Sequence, residues 1–454
     1  MKRLFGTDGV RGIANEYLTP ELALAIGRAL GKVLYPDISS EKPKIIVGAD
    51  TRISSDMLVS AVCAGLTSMG CDCYLLGTVP TPAVAYLIGK TEAKAGVMIS
   101  ASHNTYNYNG IKIFNDEGFK LSDELEERIE MLIDTCNLSA EHSDPESIGR
   151  VYNAGGLVKD YAKHITDSAP CDLSGLRIVF DCSNGSASAT ASMIFGNLGA
   201  ECDFISSEPD GININAGCGS THLESLAKYV ADNKYDVGIA FDGDADRCLA
   251  IDECGNEVDG DFIMAILSRA MKAKGTLKKN TVVGTIMTNY GFSKFCEANG
   301  INFLATKVGD RYVLENIELG GYSFGGEQSG HVILRDYATT GDGQLTARHL
   351  ISELAKSGKT LSELASVMKK YPQCMINVSA SPLQKSAFFT DEDIKAVIDE
   401  TEDALVGHGR LVIRPSGTEP LVRIMIEDKD PILTDTLCRQ TAEKIEKLLS
   451  KYAD

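Results

Sequence analysis

The chain lacks several features that would place it in a particular class of protein. It has no tryptophan, which excludes nothing, and none of its apolar runs is long enough to span a bilayer. Its first residues, MKRLFGTDGV, include two basic side chains but no apolar segment, so we expect no secretion signal there. The thirteen cysteines include no Cys-x-x-Cys pair, which argues against a zinc site and favours the reduced thiols of a cytoplasmic protein.

Positive charge is also scarce. The chain has 44 Lys and Arg against 63 Asp and Glu, a formal net charge of −19. A surface this acidic repels phosphate backbones and anionic lipids, so we expect neither nucleic acid nor a membrane as a partner. An anionic small molecule could bind only at a local cluster of Arg and Lys.

What the chain does contain is a recurring pattern of short apolar runs that end in small polar residues. The runs IIVGADTR, RIVFDCSNG and TVVGTIMTN are each followed by a second run, respectively GVMISASHN, VGIAFDGDADR and YSFGGEQSGH. This repetition predicts three cognate α/β domains with mixed sheets, each with a chemically active loop at a strand end. Helical periodicity adds amphipathic helices at 20–33, after Thr19, and at 121–133, capped by Ser122.

The last part of the chain has a different pattern. Two apolar stretches, 411–413 and 421–426, flank the sequence RPSGTEP, and an amphipathic stretch follows at 433–452. We therefore predict a smaller C-terminal α+β domain that starts near residue 371. The predicted domains are 1–150 with the serine loop, 151–252 with the acidic loop, 253–370 with GGEQSGH, and 371–454.

The sequence DGDADR places Asp242, Asp244 and Asp246 at alternate positions. In an extended loop, alternate side chains point the same way, so three carboxylates can converge on Mg²⁺ or Ca²⁺. An EF-hand is an alternative, since Glu253 stands at its twelfth position, but Arg247 stands where the EF-hand turn needs glycine. A solvated acidic turn is the other alternative.

Ser102 in ISASHN is the candidate phosphate carrier, because Mg²⁺ in the acidic loop would leave coordination sites for a phosphate oxygen. A local turn or a helix cap is the alternative for this serine. His103 is adjacent, but neighbouring side chains often point apart, so the sequence does not imply a Ser–His pair.

Three further motifs offer groups for an anionic or hydroxylated ligand. RPSGTEP is a candidate anion site, against the alternative of a plain hairpin turn, and GGEQSGH suits sugar hydroxyls, against a glycine-rich connection. FGTDGVRG adds Arg11, which we expect in a loop before the first helix. The anion site would use Arg414, Ser416, Gly417, Thr418 and Arg423, and the hydroxyl site would use Glu327, Ser329 and His331.

Taken together, these motifs resemble those of the α-D-phosphohexomutase family. FGTDGVRG, ISASHN…NGIK, DGDADR, GGEQSGH and RPSGTEP occur in the family's order over essentially the whole chain. NINAGCGSTH resembles the branch that acts on glucosamine phosphates, not the glucose and mannose branches. Thr105 stands where the family usually has Pro, and Ala245 where it usually has Gly; neither change removes a ligand, but both bear on loop stiffness.

The resemblance implies four domains around one central cleft and a phosphoserine enzyme. Glucosamine 6-phosphate and glucosamine 1-phosphate would interconvert through glucosamine 1,6-bisphosphate, which is both intermediate and activator. Ser102 would carry the phosphoryl group, and one Mg²⁺ per chain would bind Ser102 and the three aspartates. Arg11, Lys112 and Arg247 would lie near the transferring phosphate, and either Lys112 or His331 would move protons.

The expected partner is therefore a hexosamine phosphate, bound by a cytoplasmic monomer or homodimer. The alternatives are a phosphoglucomutase or phosphomannomutase of the same family, an enzyme that hydrolyses its own phosphoserine, and a non-enzymatic sensor of sugar phosphates or Ca²⁺.

Overall fold

The computed structural model describes residues 4–6, 8–34, 41–135, 143–416 and 419–452. The chain divides into two compact units, which we call unit one (1–285 with 302–367) and unit two (286–301 with 368–454). Unit one contains three mixed sheets, and unit two contains one antiparallel sheet. Among the described residues there is no helix whose length and apolar character would suit a membrane crossing.

The first sheet has six strands. Its strands and helices are β1 Val10–Ile13, α1 Pro20–Leu34, β2 Lys44–Ala49, α2 Ser55–Ser68, β3 Asp72–Thr78, α3 Thr81–Thr91, β4 Ala95–Ile99, β5 Tyr108–Phe114, α4 Asp123–Thr135 and β6 Val151–Asn153. The order is β1-β5-β4-β2-β3-β6, with β2 parallel to both β3 and β4, and β5 antiparallel to β4. The sheet thus includes residues 151–153, just past the predicted boundary at 150.

The two helices predicted in this region are confirmed. Helix α1 begins at Pro20, and the Thr19 hydroxyl accepts a hydrogen bond from the Leu22 amide, as a cap does. Helix α4 begins two residues later than predicted, after Ser122, whose hydroxyl accepts from the Leu125 amide at 3.4 Å. The apolar stripe of α1 packs into the core of this domain because Ile26 and Leu30 are buried.

The second sheet has five strands. Its elements are α5 Val158–Ser168, β7 Arg177–Asp181, α6 Ala191–Phe195, β8 Glu201–Ile205, α7 Glu224–Asn233, β9 Val237–Phe241, β10 Cys248–Asp252 and β11 Glu257–Val258. The order is β11-β10-β9-β7-β8, with β7 parallel to β8 and β9, and β10 antiparallel to β9.

The third sheet has four strands. The elements of this region are α8 Gly260–Ala273, β12 Thr281–Thr285, α9 Tyr290–Ala298, β13 Asn302–Thr306, α10 Asp310–Gly320, β14 Phe324–Gly326, β15 Val332–Leu334, α11 Gly343–Ser357 and α12 Leu361–Ala365. The order is β13-β12-β14-β15, with β14 parallel to β12 and antiparallel to β15. Helix α9 belongs to unit two, although no pattern in the sequence indicated this assignment.

The three sheets share one local plan. In each, a fully buried strand runs parallel to its inner neighbour and then turns back into an antiparallel strand: β4 into β5, β9 into β10 and β14 into β15. The chemically active loops are the connections at these three turns. This confirms the predicted repetition and explains it, since each buried strand delivers its loop to the carboxyl edge of its sheet.

Unit two is a smaller α+β domain, as predicted. After α9 it contains β16 Gln373–Ser379, α13 Pro382–Phe388, α14 Glu392–Leu405, β17 Gly409–Pro415, β18 Leu421–Asp428 and α15 Pro431–Leu449. The sheet is antiparallel in the order β16-β18-β17. The buried Glu427 carboxylate accepts hydrogen bonds from Asn289 and Tyr290 at 3.0 and 2.9 Å, which attaches α9 to this sheet.

Candidate active site

The serine loop, residues 100–108, connects β4 to β5. Ser100 donates its hydroxyl to Asp50 at 2.7 Å and accepts the Ser102 amide at 2.9 Å, which fixes the start of the loop. Ser102 is 2% exposed and has φ +52°, in the left-handed region that residues other than glycine rarely adopt. Its hydroxyl donates to Asp242 Oδ2 at 2.6 Å, so the nucleophile candidate faces the acidic loop of the second sheet.

His103 lies closer to Ser102 than the sequence suggested. Its Nδ1 is 3.4 Å from Ser102 Oγ, at the long limit of a hydrogen bond, so the structure shows a contact that the sequence did not imply. Burial, together with the positive charges of Arg247 and Arg11, lowers the pKa of His103 to about 4. The imidazole is therefore neutral at pH 7.

The acidic loop, residues 242–247, connects β9 to β10. Asp242, Asp244 and Asp246 are buried, and each offers one carboxylate oxygen, all within 4.8 Å of one another. Gly243 lies between them and against the serine loop: an added Cβ would stand 2.6 Å from the Ser102 carbonyl oxygen. Only glycine permits the two loops to approach this closely.

The EF-hand alternative is wrong. The acidic loop is flanked by the strands β9 and β10, where an EF-hand has helices. Glu253, which would be the last ligand of an EF-hand, instead accepts hydrogen bonds from the amide and hydroxyl of Ser362.

The three aspartates fit a divalent cation. One oxygen each of Asp244 and Asp246 is buried and has no hydrogen-bond partner among the described residues. Burial, and then the neighbouring Asp246 and Asp244 charges, raise the pKa of Asp242 well above its ordinary value. A cation at this point would meet the orphaned oxygens and keep Asp242 ionised. The three carboxylates could therefore hold a divalent cation through oxygen ligands, which are the ligands that Mg²⁺ prefers.

Thr81 supports the acidic loop from the first domain, and sequence reasoning missed it. It lies at the start of α3; its amide donates to the Asp244 carbonyl at 2.9 Å and its hydroxyl to the Asp244 carboxylate at 2.5 Å. Nothing in the sequence distinguishes this threonine from an ordinary residue of a helix start.

Lys112 on β5 is surrounded by carboxylates. Its ammonium lies 2.8 Å from Asp244, 3.2 Å from Asp8 and 3.6 Å from Asp246, and the side chain is 2% exposed. Burial alone would lower its pKa, but Asp244 and then Asp8 outweigh burial and raise it. Lys112 is therefore a permanent positive charge at this site.

The arginines complete the positive side of the site. Arg247 donates its amide to Asp242 at 3.2 Å, and its Nε lies 3.8 Å from Asp246 but has no hydrogen-bond partner among the described residues. Arg11 pairs with Asp8, but it lies on β1 opposite Gly110 of β5, so the prediction that it occupies a loop is wrong. Only the last three residues of the FGTDGVRG motif lie in this edge strand, which fixes the position of Arg11.

His331 is the last residue of the glycine-rich loop, residues 325–331. Its ring lies between two carboxylates. Its Nδ1 is 3.6 Å from Asp246 and its Nε2 is 3.7 Å from Asp310. The Gly341 amide donates to Nε2 at 3.1 Å, and an added Cβ on Gly341 would stand 2.4 Å from this nitrogen, so glycine is required there. Burial opposes protonation, but Asp246 and Asp310 outweigh it and raise the pKa of His331 to about 9.

These contacts have opposite effects on the protonation of His331. The Gly341 amide needs a lone pair on Nε2, whereas the carboxylates favour a second proton on the ring. Because the Gly341 amide and the Asp310 carboxylate both act on Nε2, this nitrogen is suited to exchanging a proton.

Sequence reasoning also missed a three-residue bridge beside His331. Lys120 donates to Asp8 and to Asp310, each at 2.6 Å, and so joins the first domain to the start of α10. Asp8 lies inside the FGTDGVRG motif, which could have indicated it, whereas Lys120 and Asp310 carry no such signal.

Glu327 and Ser329, the other two members of the glycine-rich loop's predicted set, are partly exposed. Glu327 accepts one hydrogen bond from the Gly309 amide at 3.1 Å, and its charge acts on Arg247. The Ser329 hydroxyl has no hydrogen bond to another described residue. Both side chains are thus available to a ligand.

The last motif forms a hairpin in unit two, as one alternative held, but the hairpin brings two arginines together. Arg414 on β17 is directly opposite Arg423 on β18, a pairing that repels unless an anion lies between them. Arg423 donates to Asn377 at 3.0 Å and to the Glu419 carboxylate at 3.2 Å, whereas the buried Arg414 Nε has no partner among the described residues. Ser416 accepts the Glu419 amide at 3.1 Å, and Gly417 and Thr418 lie outside the described residues.

The geometry thus forms two groups. Within unit one, a network of contacts joins eight predicted residues, namely Arg11, Ser102, Lys112, Asp242, Asp244, Asp246, Arg247 and His331. Glu327 lies within electrostatic range of this network, and the arginine hairpin, residues 414–423, forms the second group in unit two.

Comparison with known proteins finds matches along the whole chain. Four phosphoglucomutase/phosphomannomutase domain families match the chain in order: α/β/α domain I at 2–139, α/β/α domain II at 159–255, α/β/α domain III at 259–371 and the C-terminal domain at 375–444. The phosphoglucosamine mutase of Caldicellulosiruptor saccharolyticus is 52% identical over 432 residues, 95% of this chain and 96% of that protein.

Solved structures share the fold. A phosphoglucomutase/phosphomannomutase family protein from Burkholderia thailandensis has a TM-score of 0.84 at 21% identity, covering 100% of this chain and 99% of that one. An N-acetylphosphoglucosamine mutase from Aspergillus fumigatus, in complex with GlcNAc-6P and magnesium, has a TM-score of 0.66 at 16% identity, covering 98% and 95%. Since all four domains match in order and a full-length relative shares half of its residues, the chain belongs to the phosphoglucomutase/phosphomannomutase family and is an isomerase-type mutase.

Proposed function

We propose that the protein interconverts glucosamine 6-phosphate and glucosamine 1-phosphate through a phosphoserine at Ser102. The observation that carries the chemistry is the 2.6 Å hydrogen bond from the Ser102 hydroxyl to Asp242, inside a buried group of three carboxylates. The observation that favours glucosamine is the 52% identity to a phosphoglucosamine mutase over nearly the full chain.

One Mg²⁺ per chain would be held by Asp242, Asp244, Asp246 and an oxygen on Ser102. When bound, it would supply positive charge beside the transferring phosphoryl group. The fit of the three buried carboxylates, two with an orphaned oxygen, supports this proposal.

The chain's own cations would neutralise the remaining charge. A phosphoserine brings nearly two negative charges to a site that already contains three aspartates. Lys112, Arg247 and Arg11 are the permanent cations of the network in unit one, and they are held by carboxylates, so they need little rearrangement when the phosphate moves.

The reaction would proceed in two balanced transfers. The phosphoryl group on Ser102 passes to the C1 hydroxyl of glucosamine 6-phosphate, whose proton is given up, while the leaving serine oxygen takes up a proton. The resulting glucosamine 1,6-bisphosphate reorients, and the Ser102 hydroxyl gives up its proton as it takes the phosphoryl group from C6. The C6 oxygen takes up a proton, and glucosamine 1-phosphate is released. We assign to His331 the proton that each leaving oxygen takes up, because its raised pKa keeps the ring protonated, whereas Lys112 is enclosed by carboxylates that hold its charge.

Substrate recognition would use the groups that the fold leaves available. Glu327 and Ser329 would bind sugar hydroxyls, since both are partly exposed and make few contacts. The arginine hairpin, through Arg414, Ser416, Gly417, Thr418 and Arg423, would bind the phosphate that is not being transferred, because its opposed arginines favour an anion.

A coupled assay tests the proposal. Purified protein with glucosamine 6-phosphate, Mg²⁺ and a trace of glucosamine 1,6-bisphosphate is expected to form glucosamine 1-phosphate, with glucose 6-phosphate and mannose 6-phosphate as poorer substrates. Faster turnover of the glucose or mannose phosphates would assign the chain to another branch of the family. Release of free phosphate at a rate comparable to isomerisation would indicate an enzyme that hydrolyses its phosphoserine.

Intact-mass analysis separates an enzyme from a sensor. We expect the bisphosphate to add one phosphate to the protein, mapped to Ser102, and the Ser102→Ala variant to remain unmodified. Absence of phosphate on the wild-type protein would contradict the proposal. Size-exclusion chromatography with light scattering tests the prediction of a monomer or homodimer.

A further inference from the structure

Arg52, just beyond β2, is a buried arginine to which the reaction above gives no part. Its side chain is fully buried, and its guanidinium donates to backbone carbonyls of the serine loop instead of to solvent or substrate. The acceptors are the carbonyls of Ser102 and Asn104, each at 2.8 Å from Nη2, and those of Thr105 and Tyr108 from Nη1. One side chain thus holds four carbonyls of the loop that contains the nucleophile.

Asp50 orients this guanidinium and links it to the amide of Ser102. It accepts from Arg52 Nε at 2.8 Å and from the Ser100 hydroxyl at 2.7 Å. The Ser100 hydroxyl in turn accepts the Ser102 amide at 2.9 Å. Arg52 and Asp50 therefore hold Ser102 from both its carbonyl and its amide side.

Asn215 holds the same two carbonyls from the second domain. It lies in the NINAGCGSTH segment, and its side-chain amide donates to the Ser102 carbonyl at 2.9 Å and to the Asn104 carbonyl at 3.0 Å. Its own Oδ1 is buried without a partner among the described residues, which lowers stability. The position is thus suited to donating to the loop, not to maximal stability of the fold.

The hydrogen bonds from Arg52 and Asn215 to the serine loop fix the backbone of the nucleophile, Ser102. Ser102 has φ +52°, a conformation that is strained for a residue other than glycine, so it must be held by its surroundings. Fixing its carbonyl fixes the peptide plane, and with it the direction from Cα to the hydroxyl. Gly243 of the acidic loop packs against this same carbonyl, so the clamp also sets the distance between serine and carboxylates.

We propose that Arg52 and Asn215 form a clamp that positions Ser102 for phosphoryl transfer, with Arg52 acting from the first domain and Asn215 from the second. This inference rests on the proposed function, since it assigns the geometry of the phosphoserine to these two side chains. Neither residue touches the reacting atoms; both act through the backbone of the serine loop.

The test uses Arg52→Lys with Arg348→Lys as the matched control. Lysine preserves the charge beside Asp50, but a single ammonium lacks the planar fork that holds four carbonyls. Arg348 is an equally buried arginine on α11, which donates to Ser352 at 2.7 Å and to the Thr166 carbonyl at 3.3 Å, outside the network around Ser102. Both variants thus replace a buried arginine, one that holds the serine loop and one that lies outside its network.

Single-turnover transfer from glucosamine 1,6-bisphosphate to Ser102 is followed by intact mass, alongside kcat, KM and thermal unfolding. We expect Arg52→Lys to lower both the transfer rate and kcat by about 100-fold or more, the scale of a displacement of about 1 Å, with KM changed less than threefold. Arg348→Lys should lose some thermal stability, but less than Arg52→Lys because Arg348 makes fewer hydrogen bonds, and it should keep its transfer rate within about threefold of wild type. A transfer rate for Arg52→Lys as high as that of Arg348→Lys would overturn the clamp.

Asn215→Ala supplies a second arm should Arg52→Lys fail to fold. We expect a loss of about tenfold in transfer rate, and in the double variant a loss smaller than the product of the two single losses, because both side chains serve the same carbonyls. An unchanged rate in Asn215→Ala would remove that residue from the clamp. If wild-type Ser102 takes up no phosphate, the proposed function fails and the clamp with it, whereas uptake at equal rates in wild type and Arg52→Lys overturns the clamp alone.

Discussion

The serine loop and the glycine-rich loop occupy the same place in two cognate sheets but are held in opposite ways. Both connect a buried strand to an antiparallel partner, β4 to β5 and β14 to β15. In the serine loop, Ser102 is 2% exposed and bonded through its amide, carbonyl and hydroxyl. In the glycine-rich loop, Glu327 and Ser329 are partly exposed. Of these two residues, only Glu327 has a side-chain hydrogen bond to another described residue.

This difference agrees with the roles proposed for the two loops. A group that must align with a transferring phosphoryl needs a fixed position before the substrate arrives, whereas a group that binds a sugar needs free donors and acceptors. His331 is the exception in its loop, since it is buried between Asp246 and Asp310, as a group that acts on protons should be. With these proposed roles, the same strand–loop–strand plan would serve alignment of the phosphoryl group in one loop and recognition of the sugar in the other.

The sharpest test of this comparison is the same substitution in both loops. Ser102→Ala removes the phosphate carrier, and we expect mutase activity to fall by about 1,000-fold or more. Ser329→Ala removes a single ligand contact, and we expect KM to rise by about tenfold or less with kcat nearly unchanged. The coupled assay measures both, and full activity in Ser102→Ala would remove the basis for the comparison.

A second test contrasts the acidic loop with the glycine-rich loop. Asp246→Asn keeps the shape of the side chain but removes a charge from the proposed ion site, so the Mg²⁺ concentration for half-activation should rise about 10–100-fold. Glu327→Gln should raise KM for the sugar phosphate and leave the Mg²⁺ requirement unchanged. Titrations of activity against Mg²⁺ for the two variants distinguish these results, and equal shifts would contradict the separate roles.

A third test extends the comparison to the arginine hairpin. Arg414→Ala should weaken substrate binding by roughly 1.5–3 kcal/mol, the scale of a charge-assisted hydrogen bond. The control is Arg439→Ala, which breaks an exposed pair with Asp435 in the same unit and should leave KM unchanged. An unaltered KM in Arg414→Ala would exclude this hairpin from phosphate binding.

The smallest expected effect concerns Asp342, a buried carboxyl outside both loops. Burial is the main cause that raises its pKa to about 7, while the Leu345 amide and Tyr161 hydroxyl bonds oppose the rise. Because the folded state binds this proton more tightly, stability should fall as pH rises from about 4 to about 7 and then level off. In Asp342→Asn, the free energy of unfolding should lose this dependence, by about 1 kcal/mol or more.

Chemical denaturation at pH 5 and pH 7.5 measures this prediction. Both mutase loops are unaltered in the variant, so its activity should stay close to wild type. An equal change of stability with pH in variant and wild type would show that Asp342 titrates as an ordinary carboxyl.

Much of the fold and the centre of the site could be predicted because their signals are local. Buried strands read as apolar runs, and the polar residues that interrupt them, such as Ser102 and Asp242, stand out against that background. Five ordered motifs then indicated the family. The predicted pairing of the last two strands around RPSGTEP holds in β17 and β18.

The parts that sequence reasoning missed depend on contacts between distant segments. Thr81 meets Asp244 across 163 residues, and Asn215 meets Ser102 across 113, and neither residue differs in type from its surroundings. Arg52 was visible in IIVGADTR, but its buried guanidinium is a feature of packing, not of pattern. The assignment of α9 to unit two likewise depends on Glu427, far along the chain.

The hydrogen bonds from Thr81 to Asp244 have a practical consequence for anyone who divides the molecule. The helix start lies in one segment of the chain and the acidic loop in another, so a cut between the exposed residues Ser174 and Gly175 separates them. Each fragment would then lack part of the support for the carboxylates. With the proposed ion site, recovery of magnesium affinity on mixing the fragments would show that the two fragments have associated. Magnesium binding would then measure fragment complementation.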